Sequence, residues 1–194
     1  VELSAYFLSK YEMTQGQWLR LTGRNPSVYG PWRYFTSWNR AGRGWSALHP
    51  VEQVSWHDCM KWLPRAGLAL PSEAQWEHGC RGGASSAYWC GEDQESLRGV
   101  ANLSDQYGKD HGNESFVVWE AWLDDGNTVH AEVGSYRPNA LGLHDVHGNV
   151  WEWCLDGYDS GFYGRSSAKD PVAPHEGAAA RVIRGGAFNR AASN

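Results

Sequence analysis

A chain of 194 residues with 41% apolar residues is long enough for one domain with a buried core. Its formal net charge of −5 comes from dispersed charges of both signs, which argues against a nucleic-acid surface, and no apolar stretch approaches the ~20 residues of a membrane span. Twelve Trp beside 23 Gly argue against a helical bundle and for a loop-rich fold, because Trp brings large buried area while Gly permits turns.

In chain order, residues 3–11 alternate loosely and predict a strand. Thr14 then caps a helix, and Gln17 can reach back to complete a capping box. Trp18 and Leu21 share one face of that helix, which Gly23 and Asn25-Pro26 end. Residues 24–50 are rich in Gly, Trp, Arg and Pro without a period and read as a long ordered loop. Ser55 caps a second helix with Asp58 at N3. Its buried stripe is Cys59, Trp62 and Leu63, and Pro64 and Gly67 close it. Ser72 caps a third, with Gln75 as partner and Trp76 facing inward, and Arg81-Gly82-Gly83 stops it.

From Tyr88 to about residue 130 the chain is mostly irregular. A loop of that length inside a compact domain needs something to hold it, and bound ions are one way. Short strands are expected near 131–135, 149–154 and 181–188. The order of helices first, then loops and strands, predicts an α+β fold.

Cys59, Cys80, Cys90 and Cys154 match no zinc ribbon or CxxC motif and read as free buried thiols, with one disulfide left open. The eight His include no HExxH pair, and no GxSxG or Walker loop is present. The carboxylates are too dispersed to nominate an acid–base pair. No signal-peptide pattern is present and the sequence opens at Val1 without a Met, so the compartment, cytoplasmic or exported, is not read from this end.

The most informative segment is PNALGLHDVHGNVWEW at 138–153, which places Asp145, Gly148, Val150 and Glu152 at i, i+3, i+5 and i+7. Carboxylate and carbonyl oxygens converging on a Gly-containing bend suit calcium. Trp151 and Trp153 would share one strand face and leave the Val150–Glu152 face for an ion.

This segment resembles the signature of the formylglycine-generating enzymes, or sulfatase-modifying factors. The resemblance extends through YFLSKYEMTQGQW, HPVEQVSWHDCMKW, LALPSEAQWEHGCRGG, ANLSDQ and RVIRGGAFN. It implies a single domain over residues 1–194 with a C-type-lectin-like fold, short antiparallel strands, about three helices and two calcium ions. It also implies a closing Gly-Phe-Arg strand beyond Asn194, without which the sheet is one member short. At one ion the resemblance puts the side chains of Asp145 and Glu152 and the carbonyls of Gly148 and Val150. At the other it puts the side chains of Asn102 and Asp125 and the carbonyls of Leu103 and Asn127. Many members carry Asn where Asp145 stands, and Asp is at least as good a calcium ligand. Asn102-Leu-Ser and Asn113-Glu-Ser also fit the glycosylation pattern, which a calcium-bound Asn102 could not use.

Active members hold copper(I) with two cysteines after the Gly-Gly motif. Counting from Gly185-Gly186, Arg190 occupies the first of these positions, and the second falls one residue past Asn194. Arg is a permanent cation with no lone pair for a metal, so copper is not expected. The favoured reading is a non-catalytic domain binding a protein or small-molecule ligand through Phe188, Asn189, Arg190, Ser193 and Asn194. Trp32, Trp38 and Trp45 from the early loop are further candidates for that surface. The RGGAFNRAASN ending resembles the variable proteins of diversity-generating retroelements, and other bacterial modules of the family, some fused to kinases, also lack the cysteine pair. The alternatives are an oxidase converting a sulfatase cysteine to formylglycine, and a purely structural domain.

Overall fold

The computed structural model describes residues 1–31, 44–111 and 117–192. Among the described residues four α-helices precede a two-stranded antiparallel sheet, giving the α+β class. Helix α1 spans Gln15–Thr22, α2 Trp56–Trp62 and α3 Glu73–Arg81. Each starts in a reciprocal capping box, Thr14 with Gln17, Ser55 with Asp58 and Ser72 with Gln75, which satisfies two of the N–H groups a helix start leaves open. Left-handed Gly23 and Gly82 end α1 and α3, and a 3₁₀ turn over Leu63–Ala66 extends α2 to Gly67.

A fourth helix, α4 at Gln106–Asp110, lies inside the stretch expected to be irregular. Its cap is Asp105, whose Oδ1 accepts from Gly108 N at 2.8 Å.

Strand β1 at Glu152–Gly157 pairs with β2 at Arg181–Arg184, with Glu152 opposite Arg184 and a register irregularity between Trp153 and Gly157. The expected strand at 149–154 therefore starts later, at Glu152, and the one at 181–188 stops at Arg184. Trp151 lies outside the strand that it was expected to share with Trp153.

The expected strands at 131–135 and 3–11 do not form. Around 131–135 the main-chain donors go to loops instead: Ala131 N to Asn149 Oδ1, Val133 N to Leu48 O and Gly134 N to Asp145 Oδ2. Residues 3–9 form no regular element and Lys10 and Tyr11 lie in a bend, with one bridge alongside from Glu2 to Lys169. Phe7 on this segment is fully exposed.

Helix α3 packs against both strands. There Trp76, Cys80, Leu143, Val146, Cys154 and Val182 form one apolar cluster. Leu97, Val100, Ala101, Leu103 and Leu123 form a second, and Trp18, Val51, Cys59 and Leu63 a third. Buried polar side chains, among them Asn102, Asp105, Asn139, Asp145 and Asn149, are also part of the interior. Asn139 shows how such a group is accommodated: it donates to the Gly79 and Cys80 carbonyls and accepts from Leu141 N and Leu143 N. All four cysteines are free. Cys59, Cys80 and Cys154 are buried, whereas Cys90, expected to be buried, is half-exposed. Among the described residues no helix is long and apolar enough to cross a membrane.

Candidate functional site

The signature forms a tight loop leading into β1. Asp145 and Asn149 take left-handed backbone angles, φ 59° each, and Gly148 has φ 84°. Asp145 is 2% exposed, and its Oδ2 accepts from Gly134 N at 2.6 Å. Its Oδ1 is buried with no hydrogen-bond partner among the described residues. Burial raises the Asp145 carboxyl above the usual range. Glu152 opens β1 and is pushed up to about 7, first by burial and then by Asp145, against a hydrogen bond from Trp76 that lowers it.

A third carboxylate, absent from the sequence reading, lies beside them. Glu12 is buried and its Oε1 accepts from Val150 N at 3.1 Å, while Oε2 accepts from Asn149 Nδ2 at 2.5 Å. Burial first, then Glu152 and Asp145, raise it well above the ordinary value. Nothing in local spacing pairs Glu12 with a loop so far along the chain.

The second loop joins residues 102–105 to the Asp124–Asn127 turn. Asn102 is 1% exposed. Its Nδ2 donates to Val129 O at 2.9 Å, and its buried Oδ1 has no partner among the described residues. Asp125 accepts from Leu103 N at 2.9 Å and from Asn127 N at 2.9 Å. Burial, then Asp105, push the Asp125 carboxyl up to about 8. Asp105, also missed by sequence reasoning, accepts from Asp125 N at 2.7 Å. Tyr136 donates to Asp125 O at 3.3 Å and accepts from Asn127 Nδ2 at 2.8 Å.

The expected ligand sets thus gather as two loops. Asn102, Leu103, Asp125 and Asn127 sit in one, and Asp145, Gly148, Val150 and Glu152 in the other. The loops touch: Asn149 N donates to Asn102 O at 2.8 Å. Among the described residues no three His, Cys, Asp or Glu side chains are grouped to hold a metal. Amide and main-chain oxygens would have to complete either shell.

The segment after Gly185-Gly186 lies against both loops. Phe188 N donates to Asn149 O at 2.9 Å, and Arg190 O accepts from Ser104 N at 2.9 Å. The Phe188 ring meets Tyr29 and His130 edge-on, at 5.6 and 5.9 Å. Trp45 joins the same cluster, 5.6 Å from His130 and 5.0 Å from His49. His130 is buried with neither ring nitrogen partnered among the described residues, and burial then His49 push it down to about 3, so it is neutral. Asn189 and Arg190 are exposed. Ser193, Asn194, Trp32 and Trp38 lie outside the described residues.

Arg190 stands at the position where the family resemblance expects the first copper thiolate, and burial pushes the Cys59 thiol up to about 11 and the Cys80 thiol up to about 12. Burial also raises Cys154, with Glu152 adding to it.

The profile of the sulfatase-modifying factor enzyme 1-like domain family matches residues 1–194. A formylglycine-generating enzyme of Streptomyces coelicolor is 39% identical over 141 residues, 72% of this chain and 42% of that protein. The serine/threonine-protein kinase pkn1 of Chlamydia pneumoniae is 37% identical over 145 residues, 73% of this chain and 19% of that protein. The chain therefore spans less than half the length of these curated relatives. Among solved structures, Treponema denticola variable protein 1 superposes with a TM-score of 0.70 at 24% identity, covering 98% of this chain and 75% of that one.

Proposed function

The chain belongs to the sulfatase-modifying factor family, and from that premise we propose that it is a calcium-stiffened, non-catalytic domain of C-type-lectin-like fold that binds a protein or small-molecule ligand. Two calcium ions would occupy the two loops. Asn102 and Asp125 would face one through side-chain oxygens, with the carbonyls of Leu103 and Asn127. Asp145 and Glu152 would face the other, with the carbonyls of Gly148 and Val150. The buried, unpartnered Oδ1 atoms of Asn102 and Asp145 support this fit, since an unsatisfied buried oxygen is costly and a hard cation satisfies it. The raised carboxyls of Asp125 and Glu152 support it too, because a divalent cation favours their charged forms.

The observation that carries the non-catalytic reading is Arg190. Arg190 is exposed, and by the family resemblance its guanidinium would stand at the position of a copper thiolate. Exposed Asn189 and Arg190 beside the half-buried Phe188 make a surface suited to recognition. The likeness to a variable protein supports a role in which this surface is diversified, as in retroelement-encoded binders.

Identity to a formylglycine-generating enzyme favours one alternative, the oxidase. A direct assay separates them. The chain is incubated with copper(I), oxygen and a peptide containing Cys-x-Pro-x-Arg, and aldehyde is followed by mass spectrometry. The binding-domain reading expects no aldehyde above the protein-free control; turnover of the peptide would overturn it.

A further inference from the structure

The two loops meet at one residue, Asn102, and the segment after Gly-Gly is tied to both by main-chain hydrogen bonds. The Asn102 side chain belongs to the 102–127 loop, where its Oδ1 is unpartnered among the described residues. Its carbonyl reaches the signature loop, accepting from Asn149 N at 2.8 Å and forming a parallel bridge with Gly148. Gly148 approaches so closely that a Cβ there would fall 2.0 Å from Asn102 O. From this junction two hydrogen bonds reach the binding segment: Phe188 N to Asn149 O at 2.9 Å and Ser104 N to Arg190 O at 2.9 Å. Gly148 N to Gly185 O, at 2.7 Å, fixes the start of the same segment. One end of the binding surface therefore hangs from the signature loop and the other from Ser104 in the 102–105 segment, with exposed Asn189 between them.

The geometry points to energetic coupling among these three parts: an ion in either loop raises the affinity of the other loop for calcium and orders Phe188–Arg190 for its ligand. The inference rests on the calcium reading above. Its physical basis is the ordering cost. An ion held by the Gly148 and Val150 carbonyls fixes the Gly148–Asn149 peptide. That peptide holds the Asn102 carbonyl, so the Asn102 amide oxygen is already oriented when the second ion arrives, and less entropy remains to be lost. Coupling is reciprocal, so a ligand gripping Phe188–Arg190 would also tighten calcium binding.

The test is calcium titration by calorimetry on the whole chain, paired with hydrogen exchange at the Ser104 and Phe188 amides. In Glu152→Gln the signature loop loses a carboxylate. The expected result is that the remaining site binds calcium about 5-fold or more weakly than in the parent, the lower end of common coupling factors, and that the Ser104 amide exchanges faster although it lies on the other loop. Asp125→Asn is the reciprocal variant, read at Phe188, and keeps the test decisive if Glu152→Gln does not fold. Unchanged affinity at the remaining site, with exchange altered only in the substituted loop, overturns the coupling and leaves the calcium reading standing. Absence of calcium binding by the parent chain overturns both.

Discussion

On the calcium reading proposed above, chelation is expected to lower the melting temperature by roughly 10–20 °C. A site saturated at a hundred times its dissociation constant stabilises the folded state by about 2.7 kcal/mol. Two such sites, in a chain of this size, correspond to that shift at about 2–4 °C per kcal/mol. The loosening is expected to concentrate in residues 100–155, and limited proteolysis should cut there first.

The size of the calcium effect should depend on pH with a definite sign. Folded Glu12, Glu152 and Asp125 all have carboxyls raised above their unfolded values, Glu152 to about 7 and Asp125 to about 8. Without ions the folded state therefore binds protons that the unfolded chain has released, and these groups oppose folding increasingly as pH rises toward 8. Calcium takes the place of those protons. Buried His49 and His130 and half-buried His147, lowered chiefly by desolvation, act in the opposite direction below about pH 6.5 with or without the ion. The quantity to read is the gap in melting temperature between calcium-saturated and chelated protein, which should widen from pH 5.5 to 8.5. A gap near zero at every pH would remove the ions from the account. A gap that narrows would reverse the assigned electrostatics.

Gly148→Ala destabilises the chain by about 4 kcal/mol or more, the range of exceptional substitutions. Two costs add. Gly148 has φ 84°, where an L-residue loses ~1–2 kcal/mol. The new Cβ would also lie 2.0 Å from Asn102 O and 2.8 Å from the Asn102 carbonyl carbon. Both are main-chain atoms, so no side-chain rotation relieves the overlap, and the two loops must separate. Gly142→Ala is the matched control. It has a similar φ of 79° but open space around its Cβ position. It should cost only about 1–2 kcal/mol, the conformational part alone. Urea denaturation of both variants gives the comparison. Equal losses would show that the close approach of Asn102 to Gly148 is not a constraint.

What the sequence reveals here depends on how far apart the interacting residues lie. Thr14 with Gln17, Ser55 with Asp58 and Ser72 with Gln75 are local pairs, so three helix starts are readable from spacing alone. The strand expected at 131–135 fails because its donors are claimed by Leu48, Asp145 and Asn149, partners that local alternation does not reveal. Helix α4 is short and depends on the Asp105 cap, which is hard to see amid polar loop residues.

The same rule holds at the candidate site. Asp145, Gly148, Val150 and Glu152 are neighbours in sequence, Leu103 N meets Asp125 Oδ2, and the two loops touch at Asn102 and Gly148. Glu12 and Asp105 are not visible as members. Glu12 reaches Asn149 across 137 positions, and Asp105 lies within ANLSDQ with nothing in the spacing to mark it as the partner of Asp125 N. The aromatic cluster of Tyr29, Trp45, His49, His130 and Phe188 draws single residues from four regions of the chain, with no shared motif.

Native mass spectrometry of the whole chain in calcium counts the ions directly. The account predicts two calcium ions per chain, and one in each of Asp125→Asn and Glu152→Gln. A parent chain that carries none, or a count that neither substitution changes, would contradict it.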